Sequence, residues 1–192
     1  MERKKITGQV QAYSKRTRED LLKIGEYLFE TAGIKSVFRE VYSCVDELIK
    51  NAVKANYKYL LIIDQLEKKL KKENPDFSDE KIKDMVELIV KNKSEYDREA
   101  EKILKIEKIS NFVREVLNEE AIQIRIKNKI YDQKRDYTDE EFNTLKGLKK
   151  INMIRHEMKK RSIDVLVKYD LDEDYIYIEV TNTSPILETD LR

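Results

Sequence analysis

The sequence predicts an α+β protein in which helices make up most of the chain and cover a small sheet. Apolar residues recur every three or four positions over much of residues 17–161, which is the spacing of one helical face. Near the C-terminus they alternate with polar residues, as in a β-hairpin. The chain has four glycines and two prolines, and 40% of its residues are charged, which is typical of a helix-rich protein.

The first elements are a short edge strand and a helix. The polar-flanked segment Ile6–Tyr13 is the candidate strand. Thr17, followed by Asp20, is the predicted N-cap of a helix that runs to Gly33, which serves as its C-cap. The buried stripe of this helix consists of Leu21, Ile24, Leu28 and Ala32.

The segment Ser36–Asn56 predicts an amphipathic helix, with Ser36 as its N-cap. Its apolar stripe consists of Val37, Val41, Val45, Leu48, Ala52 and Ala55. A second, mostly polar stripe follows the same steps and is predicted to lie beside the first: Glu40, Cys44, Glu47, Asn51 and Lys54. Polar groups at the edge of a buried face are candidates for a functional site.

Residues 65–161 are helical in pattern. Two apolar stripes mark this region: Ile82, Met85, Val86 and Ile89, then Ile103, Ile106, Ile109, Val113 and Val116. Thr138 and Glu141 form a predicted capping box for a helix that contains Phe142, Leu145, Leu148 and Met158. Two segments fit either a strand or a helix by periodicity alone, namely Tyr57–Asp64 and the alternating run Ile122–Ile126.

The last two elements form a hairpin. Ile163, Val165 and Val167 alternate with polar residues, and Ile176, Ile178 and Val180 do so again. Residues 170–174 make a polar turn between them. One face of this hairpin is therefore expected to be buried.

Length and charge limit the classes of protein. At 192 residues the chain fits one domain, or one domain with a large insertion. The 39 basic and 38 acidic residues nearly cancel, which argues against binding to nucleic acid or to an anionic membrane. Cys44 is the single cysteine, so an internal disulfide is excluded. No apolar run approaches ~18 residues, and we expect a cytoplasmic protein.

Two segments carry a family resemblance. The sequence ELIKNAVKAN at Glu47–Asn56 resembles the N-box of the GHKL superfamily of ATP-binding domains, which includes gyrase, heat-shock chaperones, histidine kinases and MutL. Tyr175–Ile186, with the sequence YIYIEVTNTSPI, resembles the strand and turn of the family's next motif. The two segments occur in the family's order.

The resemblance implies a Bergerat-like fold, in which helices lie on a mixed sheet. It favours a strand at Tyr57–Asp64. The two motifs lie closer together in the family, so the implied division is an ATPase-like part at residues 1–64, a helical insertion at 65–161, and a returning hairpin at 162–192.

The resemblance also implies the residues of a Mg²⁺-ATP site. Asn51 would bind Mg²⁺ through its side-chain oxygen, and Glu47 would act as the catalytic base or hold a metal-bound water. Lys54 would contact a phosphate. Asn182 occupies the position of the family's adenine-binding aspartate, where its amide can accept from the adenine amino group and donate to a ring nitrogen.

The sequence departs from the family after Asn182. The family has glycines here and a glycine-rich lid further on, whereas this chain has no glycine after Gly147. The chain is therefore expected to be either the first part of a longer protein or a degenerate member that no longer turns over ATP, and we favour the first. Tyr175–Thr181 then reads as an interior strand, and this chain is expected to bind ATP with negligible hydrolysis.

The predicted function is therefore that of an ATP-binding, histidine-kinase-like signalling protein, with a protein partner or a homodimer formed through the helical insertion. The alternative is a non-catalytic helical interaction module with a vestigial nucleotide site. His156 is interpreted as a surface residue and Cys44 as a small residue in helix packing.

Overall fold

The computed structural model describes residues 4–106, 109–172 and 175–187. Within them the chain forms three strands and seven α-helices, which confirms the α+β class. In chain order these are β1 (Lys4–Val10), α1 (Lys15–Thr31), α2 (Phe38–Glu73), α3 (Asp79–Lys91), α4 (Lys93–Ile106), α5 (Ile109–Gln133), α6 (Asp139–Gly147), α7 (Lys149–Lys160), β2 (Val165–Leu171) and β3 (Ile176–Asn182).

The three strands form one sheet with β2 in the centre. Both neighbours run antiparallel to it, with Val165 opposite Val10 on one side and Asn182 on the other. Alternate residues of β2 are buried: Val165, Val167, Tyr169 and Leu171. An N-terminal edge strand is thus confirmed, although it spans Lys4–Val10 rather than Ile6–Tyr13. The hairpin is confirmed as well, and residues 173–174 of its predicted turn lie outside the described residues. The described sheet is antiparallel rather than mixed, and β3 lies at its edge rather than in its interior.

Helix α2 is the central element. It is 36 residues long and packs against α1, α3, α4, α5, α7 and the β2–β3 hairpin. Tyr57–Asp64 lies inside it, so the strand that the resemblance favoured is wrong. Leu60, Leu61, Ile62 and Ile63 are all nearly inaccessible to solvent. A helix surrounded by other elements is apolar on every side, and this removes the periodicity that would have identified it.

The buried face of α2 differs from the predicted stripe. Phe38, Tyr42, Ile49 and Val53 face the core, whereas Val37 and Leu48 are 44% and 55% exposed. The larger side chains take the inner positions because they bury more apolar area. Gly25 of α1 makes room for them, since a Cβ there would lie 2.5 Å from the Phe38 ring.

The helix ends correct two of the predicted caps. Ser14, not Thr17, caps α1, because its hydroxyl accepts a hydrogen bond from the Thr17 amide. Ser36 lies in a single 3-10 turn, and no side-chain cap precedes α2. Gly33 confirms its predicted role: it has φ of 74°, and the Ile34 amide donates to Phe29 as in a Schellman motif.

The described part of residues 65–161 is mostly helical, with non-helical connections at 74–78 and 134–138. The capping box at Thr138 and Glu141 is confirmed. The segment Ile122–Ile126, left open by periodicity, lies in α5. The helix predicted after Thr138 is two helices that meet at Leu148. The predicted domain boundary after residue 64 falls within α2, and buried residues from both sides of it form one core cluster.

Candidate functional site

Helix α2 presents the predicted site residues to solvent. Glu40, Cys44, Glu47, Asn51 and Lys54 are all exposed. The first four each lie two positions after a buried residue of α2, which is about 200° around the helix, and Lys54 continues the same stripe. This polar stripe therefore lies opposite the core-facing side of α2 rather than beside it. The exposure of Cys44 also corrects its interpretation as a packing residue.

The two segments that carry the family resemblance touch each other. Asn182, at the end of β3, donates its side-chain amide to the backbone oxygen of Ala52 at 3.1 Å across 130 positions of sequence. Two residues later, the Ser184 hydroxyl donates to the side-chain oxygen of Asn56 at 2.5 Å. The hairpin thus ends directly against the helix that carries Glu47 and Asn51.

The oxygens of the exposed stripe are weakly engaged. The Lys54 ammonium is 3.5 Å from the side-chain oxygen of Asn51, and the Lys50 ammonium is 3.8 Å from the Glu47 carboxylate. Carboxylate and amide oxygens are the ligands that Mg²⁺ accepts, and a surface lysine suits a phosphate. The residue types and their accessibility therefore fit a magnesium-bound anion.

Asn182 is more constrained than its sequence suggests. One hydrogen of its amide nitrogen is donated to the backbone oxygen of Ala52. Its side-chain oxygen is buried and receives no hydrogen bond from the described residues. In this arrangement Asn182 fixes the hairpin to α2.

A buried carboxylate that sequence reasoning missed lies beside the stripe. Asp46 is 5% exposed and accepts from the Tyr13 hydroxyl at 2.6 Å and from the Arg18 guanidinium at 2.7 Å. Lys50 binds its second oxygen at 2.7 Å, and Tyr42 lies 3.2 Å from Tyr13. Asp46 and Lys50 are spaced four apart, which was the one available sequence signal.

The electrostatics of this cluster keep Asp46 ionised. Burial alone would raise the pKa of Asp46, but the hydrogen bonds from Lys50 and Tyr13 and the charge of Arg18 lower it on balance. Burial and the hydrogen bond to Asp46 raise the pKa of Tyr13, which therefore stays protonated and donates. Lys50 thus links a fixed carboxylate to the exposed Glu47.

A second buried network joins α2, α5 and α7. The Tyr57 hydroxyl donates to the Glu120 carboxylate, and Arg155 reaches the same oxygen at 3.3 Å. Burial, followed by the charge of Arg155, lowers the pKa of nearby Lys127. Tyr57 and Glu120 are 0% and 7% exposed, so this network holds the helices together rather than forming an open site.

An open groove of about 370 Å³ lies between α2, α3 and α4. Leu66, Leu70, Met85, Leu88 and Ile89 supply its apolar lining. Three of its four charged lining residues are acidic, namely Glu73, Glu95 and Glu99. Hydrogen bonds from Lys102 and Lys69 lower the pKa of Glu99 to about 2.

The last features to consider are the single histidine, groups that could bind a metal ion, and helices that could cross a membrane. His156 is exposed on α7, as predicted. Among the described residues, no group of three or more His, Cys, Asp or Glu side chains is arranged to hold a metal ion, and no helix is long and apolar enough to cross a membrane.

No protein-family model, curated protein or solved structure matches the chain.

Proposed function

We propose that this chain is the ATP-binding part of a histidine-kinase-like GHKL protein and binds Mg²⁺-ATP along the exposed stripe of α2. The observation that carries the proposal is the contact between Asn182 and Ala52, which brings the two family-like segments together. Residues so far apart in sequence have no local reason to meet.

The residues have distinct roles in this proposal. Asn51 supplies an oxygen ligand to Mg²⁺, Lys54 neutralises a phosphate, and Glu47 orients the attacking group. Asn182 lies at the adenine end. Mg²⁺ usually keeps several waters and takes only one or two protein ligands, so a site without a cluster of acids suits it. The bound metal would supply charge neutralisation to the phosphates.

The proposed site favours nucleotide binding over ATP hydrolysis. Backbone amides of a glycine-rich loop stabilise the charge that develops on the phosphates, and the described residues after Gly147 contain no such loop. We therefore expect Mg²⁺-dependent nucleotide binding with negligible hydrolysis. The cytoplasmic location and the signalling role belong to the same proposal.

Calorimetric titration with Mg²⁺-ATP tests the site. Asn51→Ala should abolish the binding heat because the metal loses a ligand, whereas Glu47→Ala should bind nearly as wild type because Glu47 acts in the chemical step. The control is Asn118→Ala, an exposed asparagine on α5, which should bind normally.

Two results contradict the assignment. Equal heats for wild type and Asn51→Ala would remove Asn51 from the site. Robust ATP turnover by this chain would show that the account of the missing charge stabilisation is wrong. A titration with Mg²⁺-GTP separates adenine recognition from general phosphate binding.

The second candidate is a non-catalytic interaction module, which the groove between α2, α3 and α4 favours. Leu88 is 66% exposed at this groove, and the charged rim is mostly acidic. Its occupant would be an amphipathic partner helix with basic flanks. A thermal-shift scan separates the two functions, since Mg²⁺-ATP at ~100 times its dissociation constant stabilises a binding protein by about 2.7 kcal/mol and leaves this module unchanged.

A further inference from the structure

Within the part of the chain that the structure describes, the outer edge of β3 carries unpaired backbone groups. The Asp172 amide donates to Tyr175 and the Thr183 amide to Asp164, both at 3.0 Å, at the two ends of the β2–β3 ladder. Hydrogen-bonded pairs alternate along an antiparallel ladder. The odd-numbered residues of β3 therefore bond to β2. Within the described residues no strand pairs with the opposite edge, where Ile176, Ile178 and Val180 direct their N–H and C=O groups outward.

This edge lacks the features that usually protect an exposed strand. Natural edges carry proline, lysine or a bulge, whereas β3 has the sequence IYIEVTN and a regular seven-residue register. Its single charge, Glu179, is bound by Lys168 and by Thr181. On the face toward α2, Ile176, Ile178 and Val180 are only half-buried, unlike the fully buried residues of β2.

We propose that β3 pairs antiparallel with β3 of a second copy of this chain, with Ile178 opposite Ile178 of that copy. In this register Ile176 lies opposite Val180, so the faces toward α2 are apolar on both sides. Tyr177 lies opposite Glu179 on the outer face. The outward groups of Ile176, Ile178 and Val180 then all form hydrogen-bonded pairs.

Neighbouring registers that keep the same faces together are poorer. Centring the pair on Glu179 places two like charges directly opposite each other, which is destabilising. Centring it on Tyr177 moves Val180 beyond the start of the second strand and shortens the ladder. The preference for the register centred on Ile178 depends only on the sequence of β3. Both copies therefore share it, as a two-fold symmetric interface requires.

The choice of a second copy follows from this self-complementarity. A strand that matches itself in one register needs no other protein to supply the pattern. The interface also differs from the helical segment that the sequence suggested for a homodimer. It goes beyond the proposed nucleotide site, because the paired residues 176–180 include none of the site residues: Glu47, Asn51, Lys54 and Asn182.

Sedimentation velocity at micromolar to hundred-micromolar concentrations tests the dimer. Tyr177→Glu would place two carboxylates opposite each other at both symmetric positions, whereas Tyr177→Lys would face Glu179 with a cation. We expect the dimer dissociation constant of the Glu variant to exceed that of the Lys variant by about tenfold. Far-UV circular dichroism confirms that both variants remain folded.

Cysteine pairs test the register independently of affinity. Tyr177→Cys and Glu179→Cys are each made in a Cys44→Ser background, because Cys44 is exposed. Positions 177 and 179 form a non-hydrogen-bonded pair in the proposed register, with Cα atoms at about 4.5 Å, within reach of a disulfide. Mild oxidation should therefore crosslink a mixture of the two variants and neither variant by itself.

Each alternative gives a different result. The proposed pairing is overturned if the protein is a monomer at all concentrations, or if the two Tyr177 variants have equal dissociation constants. The edge of β3 would then be open to a strand from a different protein. A crosslink from Glu179→Cys alone, or from Tyr177→Cys alone, overturns the register centred on Ile178.

Discussion

At the scale of single residues, the strongest constraint beside the proposed site is Asp46. A buried carboxylate is costly unless it is paired and hydrogen-bonded. Here it receives bonds from three parts of the chain: Tyr13 before α1, Arg18 within it, and Lys50 on α2. The cluster therefore fixes the segment between β1 and α1 onto the helix that carries Asn51.

Replacing Asp46 should destabilise the fold. Asp46→Ala leaves the Tyr13 hydroxyl and two cations without their shared acceptor, and we expect a loss of about 2–3 kcal/mol in the free energy of unfolding. The control is Asp64→Ala on the same helix, where a 49% exposed carboxylate pairs with Lys68. That exposed pair should contribute under about 1 kcal/mol. Urea denaturation measures both.

The same variant has a defined pH dependence. Because the folded-state pKa of Asp46 lies below the ordinary value of 3.8, its contribution is fully present above that value and is lost as the pH falls through the lowered pKa. The stability difference between wild type and Asp46→Ala should be constant near neutrality and shrink in strong acid. A difference that grew on acidification would contradict the assignment.

At the scale of elements, side-chain caps fix several helix boundaries. Ser78 accepts from the Lys81 amide at the start of α3, and Thr138 accepts from the Glu141 amide at the start of α6. The two helices differ in what they bury. Helix α3 places Ile82 and Val86 in the core, whereas α6 has no buried residue.

This difference predicts unequal effects of the same cap deletion. Ser78→Ala should lower the free energy of global unfolding by about 1 kcal/mol, the usual cost of losing an N-cap. Thr138→Ala should leave global unfolding nearly unchanged and instead speed hydrogen exchange within α6, because that helix has no fully buried residue and its opening exposes little of the core. Equal global losses would show that α6 is more tightly integrated than its burial indicates.

At the level of the whole molecule, a single hydrophobic core contains residues from both sides of the predicted domain boundary after residue 64. The buried residues of α3, α4, α5 and α7 belong to the same cluster as those of α1 and the sheet. Helix α2 contributes residues to this core along its length, and the Tyr57 hydroxyl on α2 donates a hydrogen bond to Glu120 of α5. The helical region therefore covers the second half of α2 as the sheet covers the first.

A deletion measures this integration. Joining Lys68 to Met158 through a short linker removes α3, α4, α5 and most of α7, all of which pack against α2. Tyr57, which is fully buried, also loses its partner Glu120. We expect the product to lose cooperative urea unfolding and to bind hydrophobic dyes. As a control, replacing residues 137–146, which span most of α6, should preserve a cooperative transition. Cooperative unfolding of the larger deletion would instead show a separable insertion.

The elements that could be predicted from the sequence are those whose signals lie within a few neighbouring residues. The hairpin follows from strict alternation around Val165 and Ile178, the capping box from Thr138 and Glu141, and the end of α1 from Gly33, which adopts a positive φ at no steric cost. The α+β class follows from the same signals. The identity of the stripe at Glu47, Asn51 and Lys54 rests on resemblance, and its binding role stays a prediction.

The features that could not be predicted are those that depend on contacts between residues far apart in sequence. Periodicity identified α2 as a helix but not which side faces inward, because α2 carries apolar residues on two adjacent sides and packing chose the larger ones, such as Phe38 and Ile49. Tyr57–Asp64 is helical because α2 continues between the sheet and the other helices. The contact of Asn182 with Ala52 and the burial of Asp46 also arise only when the folded chain brings these segments together.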